Sequence, residues 1–367
     1  MHVGLNLIFL VPGETGGMEI AARELVPALA RAAPGVRFTA FMGREARDVD
    51  LGVDRVVLPL EASNRVQWVR GEQLVLPRTA ARAGCDLVHS LGSTAPATGR
   101  FRRVTTVHDL NYRVVPDAHF GVRALGMRAL VPLAVRRSHR VLADSMHTRD
   151  DLVRLLGADP ARIDVVPCGL GRPSVPPTPP TELRARLGLG ERPLLLSLSA
   201  KRPHKNLAGL LDALALVPAE RRPVAVLPGY ATPHEAELRA QADRLGIAND
   251  VRFLGWTSDA DVEGLFAAAA VFVFPSFYEG FGLPVLEAMA RGVPVACADR
   301  SSLPEVAGDA ALLFDPARPE EIAAAIERLL GDRALADRLA AAGRQRAAAF
   351  TWERSAEMTL AAYERAR

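Results

Sequence analysis

The sequence predicts an α/β protein of two domains, each a parallel sheet wound with helices on both faces, the two domains facing each other across a cleft. Three observations predict it. The chain has 367 residues, and at roughly 100–200 residues per domain that favours two. Short apolar runs alternate with helical patterns along both halves, the signature of a parallel sheet. Between the halves, Gly171–Pro180 (GRPSVPPTPP) carries five prolines, too many for a helix interior or a central strand.

The elements follow in order. Val3–Val11 reads as an apolar strand, followed by the loop Pro12-Gly13-Glu14-Thr15-Gly16-Gly17 and an amphipathic helix over Met18–Ala32. Val36–Met42, Arg55–Leu58, Leu87–His89, Val104–His108, Val141–Asp144 and Ile163–Val166 read as further short strands. Beyond a linker placed at 171–190, strands are expected at Pro193–Ser199, Val224–Leu227, Val251–Phe253, Ala270–Phe274, Val293–Cys297 and Ala311–Phe314. The division is therefore an N-terminal domain over 1–170 and a C-terminal domain over 191–350. A last helix, Thr351–Arg367, is free to pack back on the first domain. In open sheets of this kind, ligands bind at the carboxyl ends of the strands.

Composition narrows the function. Hydrophobic residues make up 49% and charged residues 24%, a globular balance that excludes disorder as the main state. Cys85, Cys168 and Cys297 form no Cys-x-x-Cys pair, so no zinc knuckle or redox motif is read and reduced, buried thiols are expected. The longest apolar run, Leu265–Phe274, is too short to span a bilayer. The first segment lacks a basic start and a small-residue cleavage site, so it reads as a strand rather than a signal peptide. The expectation is a cytoplasmic protein. Net charge is +3, and aromatics make up only 5%, which argues against nucleic-acid binding.

Of 45 basic residues only Lys201 and Lys205 are lysines, four apart in one loop. A lysine supplies a compact point charge that a planar guanidinium does not. An Arg-rich stretch (Arg100, Arg102, Arg103, Arg113, Arg123, Arg128, Arg136, Arg137, Arg140) has two readings. It is a solvated face in an Arg-biased chain, or a basic patch for peripheral contact with an anionic lipid surface or acceptor.

The richest segment is Phe274-Pro275-Ser276-Phe277-Tyr278-Glu279-Gly280-Phe281-Gly282-Leu283-Pro284-Val285-Leu286-Glu287. A strand ends at Pro275, a glycine loop follows, and a helix opens with Pro284 at its first position and Glu287 in its first turn. Gly280 and Gly282 allow close backbone approach, and the helix N-terminus offers free N–H groups to an anion. Carboxylates accept from hydroxyls, so the segment suits a ligand carrying both phosphate and a polyol. Taken alone, Glu287 is explained as a carboxylate favoured by the helix dipole, worth up to ~1 kcal/mol.

Glu279 and Glu287, with seven residues between them, resemble the E-x7-E motif of retaining glycosyltransferases of family 4. Phe281-Gly282-Leu283-Pro284, Glu287-Ala288-Met289-Ala290, Gly292-Val293-Pro294-Val295, Ser302-Leu303-Pro304-Glu305-Val306 and Thr106-Val107-His108-Asp109-Leu110 match the same pattern. The resemblance covers nearly the whole chain and implies the GT-B fold of two Rossmann-like domains. It implies that Glu279 contacts the transferred sugar, that Glu287 accepts from the nucleotide ribose, and that the backbone at Gly280, Phe281, Gly282 and Leu283 meets sugar hydroxyls or diphosphate. Lys205, in Ser197–Leu207, matches the family's phosphate-binding lysine. Ser197-Leu198-Ser199 stands where a glycine and an arginine are usual, so either Arg202 or Lys201 is the second cation.

On the first domain the resemblance sets Gly16 and Gly17 near the donor phosphates and His108 beside the donor sugar, with Asp109 orienting His108 or holding the loop. His89 and Ser90 end another strand and are read as lining the acceptor side. Asp48-Val49-Asp50 and Asp259-Ala260-Asp261 have the spacing of the metal-binding pair of the other glycosyltransferase fold. The second reads better as helix-capping carboxylates, and no metal or other cofactor is expected. The expected partners are a nucleotide diphosphate sugar and a glycan, lipid-linked or small-molecule acceptor. The rival readings are a nucleotide-sugar epimerase or phosphorylase on the same plan, and a non-enzymatic two-domain binding protein.

Overall fold

The computed structural model describes residues 1–115, 121–171 and 175–367, with side chains described outside 121–125. Two compact units emerge, Met1–Gly171 together with Phe350–Arg367, and Arg172–Ala349.

The first unit holds strands β1 (His2–Leu7), β2 (Arg37–Met42), β3 (Asp54–Val57), β4 (Leu87–Ser90), β5 (Arg102–Val107), β6 (Arg140–Ala143) and β7 (Ile163–Val165). They lie in the order β3-β2-β1-β4-β5-β6-β7, and every pairing is parallel. A central parallel strand is covered on both faces, so it reads as a continuous apolar run. All six residues of β1 are buried, whereas the edge strand β3 is largely exposed. The chain runs outward from β1 through β2 to β3, then returns to β4 on the other flank of β1. The strand order therefore reverses between β1 and β4, in the register Asn6↔Ser90.

The second unit repeats the plan with β8 (Leu194–Leu196), β9 (Val224–Leu227), β10 (Val251–Phe253), β11 (Ala269–Phe274), β12 (Val295–Ala298) and β13 (Ala311–Phe314). The order is β10-β9-β8-β11-β12-β13, and all pairs are parallel. Its order reverses between β8 and β11, in the register Phe272↔Leu196.

The segment expected as linker is partly helical, because Pro180–Leu187 forms a helix with proline in its first turn and Gly188 closing it at φ 61°. Proline lacks the N–H that a first turn leaves unpaired, so a run that breaks a helix interior can also begin one. Residues 172–174 of that linker lie outside the described residues. The run Leu265–Phe274 spans a helix end and a strand start, the helix Asp259–Ala268 passing into β11 with no loop between them.

The chain's last helix, Trp352–Ala366, belongs to the first unit. Leu170 donates its N–H to Phe350 O (2.9 Å), and Ser355 Oγ donates to Pro167 O (2.6 Å). A Cβ at Gly169 would stand 2.3 Å from the Trp352 backbone nitrogen, so only glycine admits this approach. The three cysteines are free and buried.

Candidate active site

In the second unit both segments singled out from the sequence leave the sheet at its topological switch point. The loop after β8 carries Lys205 and the loop after β11 carries Glu279. Their side chains meet, Lys205 Nζ lying 2.6 Å from Glu279 Oε1, with side-chain exposures of 19% and 12%. The Lys205 ammonium also stands 5.7 Å from the centre of the Phe274 ring. The lysine loop is pinned by Asn206, at φ 54°, whose side chain accepts from Gly209 N and donates to Pro316 O.

The glutamate loop is held from a third segment. Ser301, itself at φ 53°, accepts at Oγ from the Glu279 N–H (2.9 Å). Ser302 Oγ shares its proton between the carbonyls of Glu279 (3.0 Å) and Phe281 (2.7 Å). Ser302 opens the quoted Ser302–Val306 motif and Ser301 precedes it, so the signal for them was present although no role was read from it. Gly282 takes φ 112° at the N-cap of the helix Leu283–Ala290. That backbone strongly favours glycine, and a Cβ there would also meet Leu303 Cδ2 at 2.7 Å.

Three details differ from expectation. Glu287 is the fifth residue of its helix rather than a first-turn residue, and it is buried (4% exposed), so the simple dipole explanation loses its geometry. Pro284 is the second helical residue, not the first. Lys201 is fully buried, with Nζ donating to the carbonyls of Gly229 and Leu254. Burial lowers its pKa to about 8. Its ammonium serves the fold, and Arg202 is left as the half-exposed cation beside Lys205.

In the first unit, Gly16 sits after β1 at φ 56°, capping the helix Gly17–Ala32. Open space surrounds the Cβ positions of Gly16 and Gly17. His108 follows β5. Its Nδ1 lies 2.7 Å from Asp144 Oδ2 and its Nε2 lies 2.7 Å from Leu91 O. The partner is thus Asp144, at the end of β6. Asp109 instead accepts from Asn111 N (3.0 Å) and closes the turn that follows. Burial pushes the His108 pKa down, but the Asp144 charge and hydrogen bond, the Leu91 carbonyl and the Asp109 charge outweigh it and raise it to about 9.

His89 and Ser90 do not line an open surface. Both are wholly buried. His89 Nδ1 pairs with Tyr363 Oη and Nε2 with Thr106 Oγ1, each at 2.8 Å, while Ser90 Oγ accepts from Asn6 Nδ2 (3.0 Å). The reason is topological, since β4 is a central strand covered on both faces: Tyr363 of the last helix meets His89, while Ser90, on the opposite face, meets Asn6, which also donates to Glu72. Burial and the nearby His108 charge lower the His89 pKa to about 3.

Residues 15–170 match the model of Glycosyltransferase Family 4, and residues 180–346 match that of Glycosyl transferases group 1. The chain belongs to glycosyltransferase family 4. This family-4 chain is 35% identical to the O-antigen chain mannosyltransferase B of Escherichia coli, over 72% of its own length and 70% of that protein. It is 30% identical to a D-inositol 3-phosphate glycosyltransferase of a Nocardioides species, over 97% of its length and 86% of that protein. Its fold is GT-B. Sucrose-phosphate synthase from Thermosynechococcus elongatus superposes with a TM-score of 0.78 at 24% identity, covering 99% of this chain and 98% of that one. Anabaena HepE, solved in complex with UDP and glucose, superposes at 0.75 with 23% identity, covering 99% of each chain.

Two features of this family-4 enzyme stand apart from these strand ends. Arg102, Arg103, Arg136 and Arg137 of the Arg-rich stretch gather with Arg162 and Arg365 around an open basin of about 540 Å³. It lies at the amino ends of β5 and β6, the opposite edge of the sheet from His108. Arg140 is spent on Asp164 (2.7 Å), and the Arg123 side chain lies outside the described residues. The Asp-x-Asp spacings are engaged locally. Asp261 pairs with Arg186 (2.7 Å) and accepts from Thr178 (2.7 Å) in the first turn of its helix. Asp50 accepts from Gly52 N (3.0 Å). Among the described residues no cluster of three or more His, Cys, Asp or Glu is placed to hold a metal ion, and no helix is long and apolar enough to cross a membrane.

Proposed function

We propose that this glycosyltransferase moves a hexose, mannose first among the candidates, from a nucleotide diphosphate sugar such as GDP-mannose or a UDP-hexose to an acceptor hydroxyl, with retention of anomeric configuration and without a metal ion. The products would be polysaccharide, glycolipid or natural-product glycosides. The observation that carries the reading is the Lys205–Glu279 pair, brought from loops 74 residues apart to one switch point beside a helix N-terminus. The mannosyltransferase relative supports the choice of sugar.

Lys205 and Arg202 neutralise the diphosphate with the amides around Gly282. Glu279 exchanges its lysine for sugar hydroxyls, and Glu287 takes the ribose. The bond from the anomeric carbon to the phosphate oxygen breaks, and the acceptor oxygen bonds to that carbon on the same face. The acceptor proton passes to the departing phosphate. Negative charge grows on the diphosphate as it leaves, so a preplaced cation stabilises the transition state by a few kcal/mol.

The test is nucleoside diphosphate release from GDP-mannose and UDP-glucose with and without an acceptor glycoside, followed by proton NMR of the product's anomeric configuration. Release that depends on acceptor, with retention, is expected; conversion of donor alone would favour an epimerase, and no nucleotide binding a receptor. Glu279→Gln should lower kcat at least a hundredfold while nucleotide affinity survives. Lys205→Ala should weaken nucleotide diphosphate binding about 10- to 100-fold, the ~1.5–3 kcal/mol of a hydrogen bond to a charged group. Parent-like values for both variants would overturn the site.

A further inference from the structure

Two histidines of the first unit, His89 and His108, carry different partners, and the difference decides their charge. His89 lies between two hydroxyls, Tyr363 Oη and Thr106 Oγ1. A hydroxyl donates or accepts, so a neutral imidazole with one N–H and one lone pair satisfies both contacts. His108 lies between a carboxylate oxygen and a backbone carbonyl oxygen, both at 2.7 Å. Neither has a proton to give. Both contacts are made together only by a ring that carries hydrogen on each nitrogen, which is the imidazolium.

From this geometry we infer that Asp144 is a positioning residue for the transfer reaction, holding His108 as a fixed cation whose ring is clamped between its carboxylate and the Leu91 carbonyl. The clamp draws on three neighbouring strand ends: Leu91 follows β4, His108 follows β5 and Asp144 follows β6. Thr148 Oγ1 donates to the His108 carbonyl (3.3 Å), and Ser93 Oγ accepts from its N–H (3.3 Å), so the backbone is held as well. The ring keeps 17% of its surface exposed and Asp144 keeps 8%, so the charge is screened little by solvent.

The titratable groups that face the pair all favour the same state. Asp109 adds a second negative charge from the loop after β5. His89, from β4, is kept neutral in part by the His108 charge. Cys168, beside Asp144 from the segment after β7, is held as the protonated thiol by burial and that carboxylate. The negative charges that raise His108 are Asp144 and, from its own loop, Asp109.

The inference rests on the proposed function, together with the family resemblance, which implies that His108 stands beside the transferred sugar. There a ring with both nitrogens committed to protein acceptors is neither a general base nor a proton shuttle. It is a permanent positive charge held rigidly at the carboxyl end of β5.

Asp144→Asn keeps an acceptor oxygen opposite Nδ1 and removes the charge, so it separates geometry from electrostatics. With the parent, kcat should hold from pH 7 to about 9. With Asp144→Asn, kcat should approach the parent's at pH 6, fall about tenfold per pH unit above pH 7, and leave donor KM within a factor of three at pH 6. Asp144→Glu should restore part of the alkaline limb. Independently of activity, selective ¹⁵N-histidine NMR, with His108 assigned by His108→Gln, should show both His108 nitrogens protonated at pH 8. A neutral His108 at pH 8 would overturn the inference, and so would an Asp144→Asn profile equal to the parent's. A parent that transfers no sugar, with His108 charged, would count against the proposed function instead.

Discussion

Charge at single residues follows from partners that arrive from far along the chain, and stability should record it. His89 has a folded pKa of about 3 against an ordinary ~6.5. Between those values the unfolded chain binds a proton that the folded one refuses, so stability present above pH 6.5 is lost as pH falls. His108, raised to about 9, behaves oppositely. Its contribution is complete below pH 6.5 and is lost as pH rises through 9. Each group sets a slope of up to about 1.4 kcal/mol per pH unit. The melting temperature of the first unit should therefore peak near pH 6.5, and His89→Gln should flatten only the acid side. Equal acid limbs in parent and variant would refute the assignment. The sequence could not separate these histidines, because their deciding partners are Tyr363, 274 residues beyond His89, and Asp144, 36 beyond His108. Lys205 and Glu279 were legible because each sits in a motif with its own local signature. Lys201 was ambiguous, since nothing in the sequence shows that the carbonyls of Gly229 and Leu254 wait for its ammonium.

Secondary elements were legible wherever burial imposes a pattern and illegible where one apolar run serves two. Every strand of both sheets was visible as a short apolar run, the central ones because parallel strands are covered on both faces and the exposed edge strand β3 through its Val56-Val57 pair. The junction at Ala268/Ala269 was placed one residue late, at Ala270, because a buried helix end and a buried strand start have the same composition. The helix Pro180–Leu187 was hidden by the prolines that begin it. What fixes elements against each other is often a missing side chain, and Gly169 is the clearest case. A Cβ there meets the Trp352 nitrogen at 2.3 Å and the Thr351 carbonyl carbon at 2.6 Å, and backbone atoms cannot step aside as a side chain would. Gly169→Ala should cost ~1–3 kcal/mol or more and loosen the helix Trp352–Ala366, with faster amide exchange along it. Gly126, whose Cβ would meet nothing within 4 Å, lies inside the helix Gly121–Arg137. Gly126→Ala should be neutral or stabilising by up to ~1 kcal/mol. Indistinguishable melting of the two variants would mean that the last helix is not seated as described.

At the scale of the molecule, the proposed reading divides one chemistry between two sheets of the same plan, and that division has a thermal consequence. The groups read as holding the nucleotide diphosphate, Lys205, Arg202, the Gly282 turn and Glu287, all belong to Arg172–Ala349, a unit with its own core. A ligand that binds only the folded form of that unit stabilises it by about 2.7 kcal/mol at a hundred times its dissociation constant. For a unit of this size that is a rise of roughly 5–10 °C. Calorimetry with saturating UDP or GDP should therefore raise one of two transitions and leave the other, the one sensitive to Gly169→Ala, in place. Lys205→Ala should abolish most of the rise, because the ammonium is the group nearest the diphosphate in the proposed reading. Asp144→Asn should leave it intact, because the charge it governs sits in the other unit. A nucleotide shift confined to the Gly169-sensitive transition, or one undiminished in Lys205→Ala, would remove the switch point of β8 and β11 as the donor's seat.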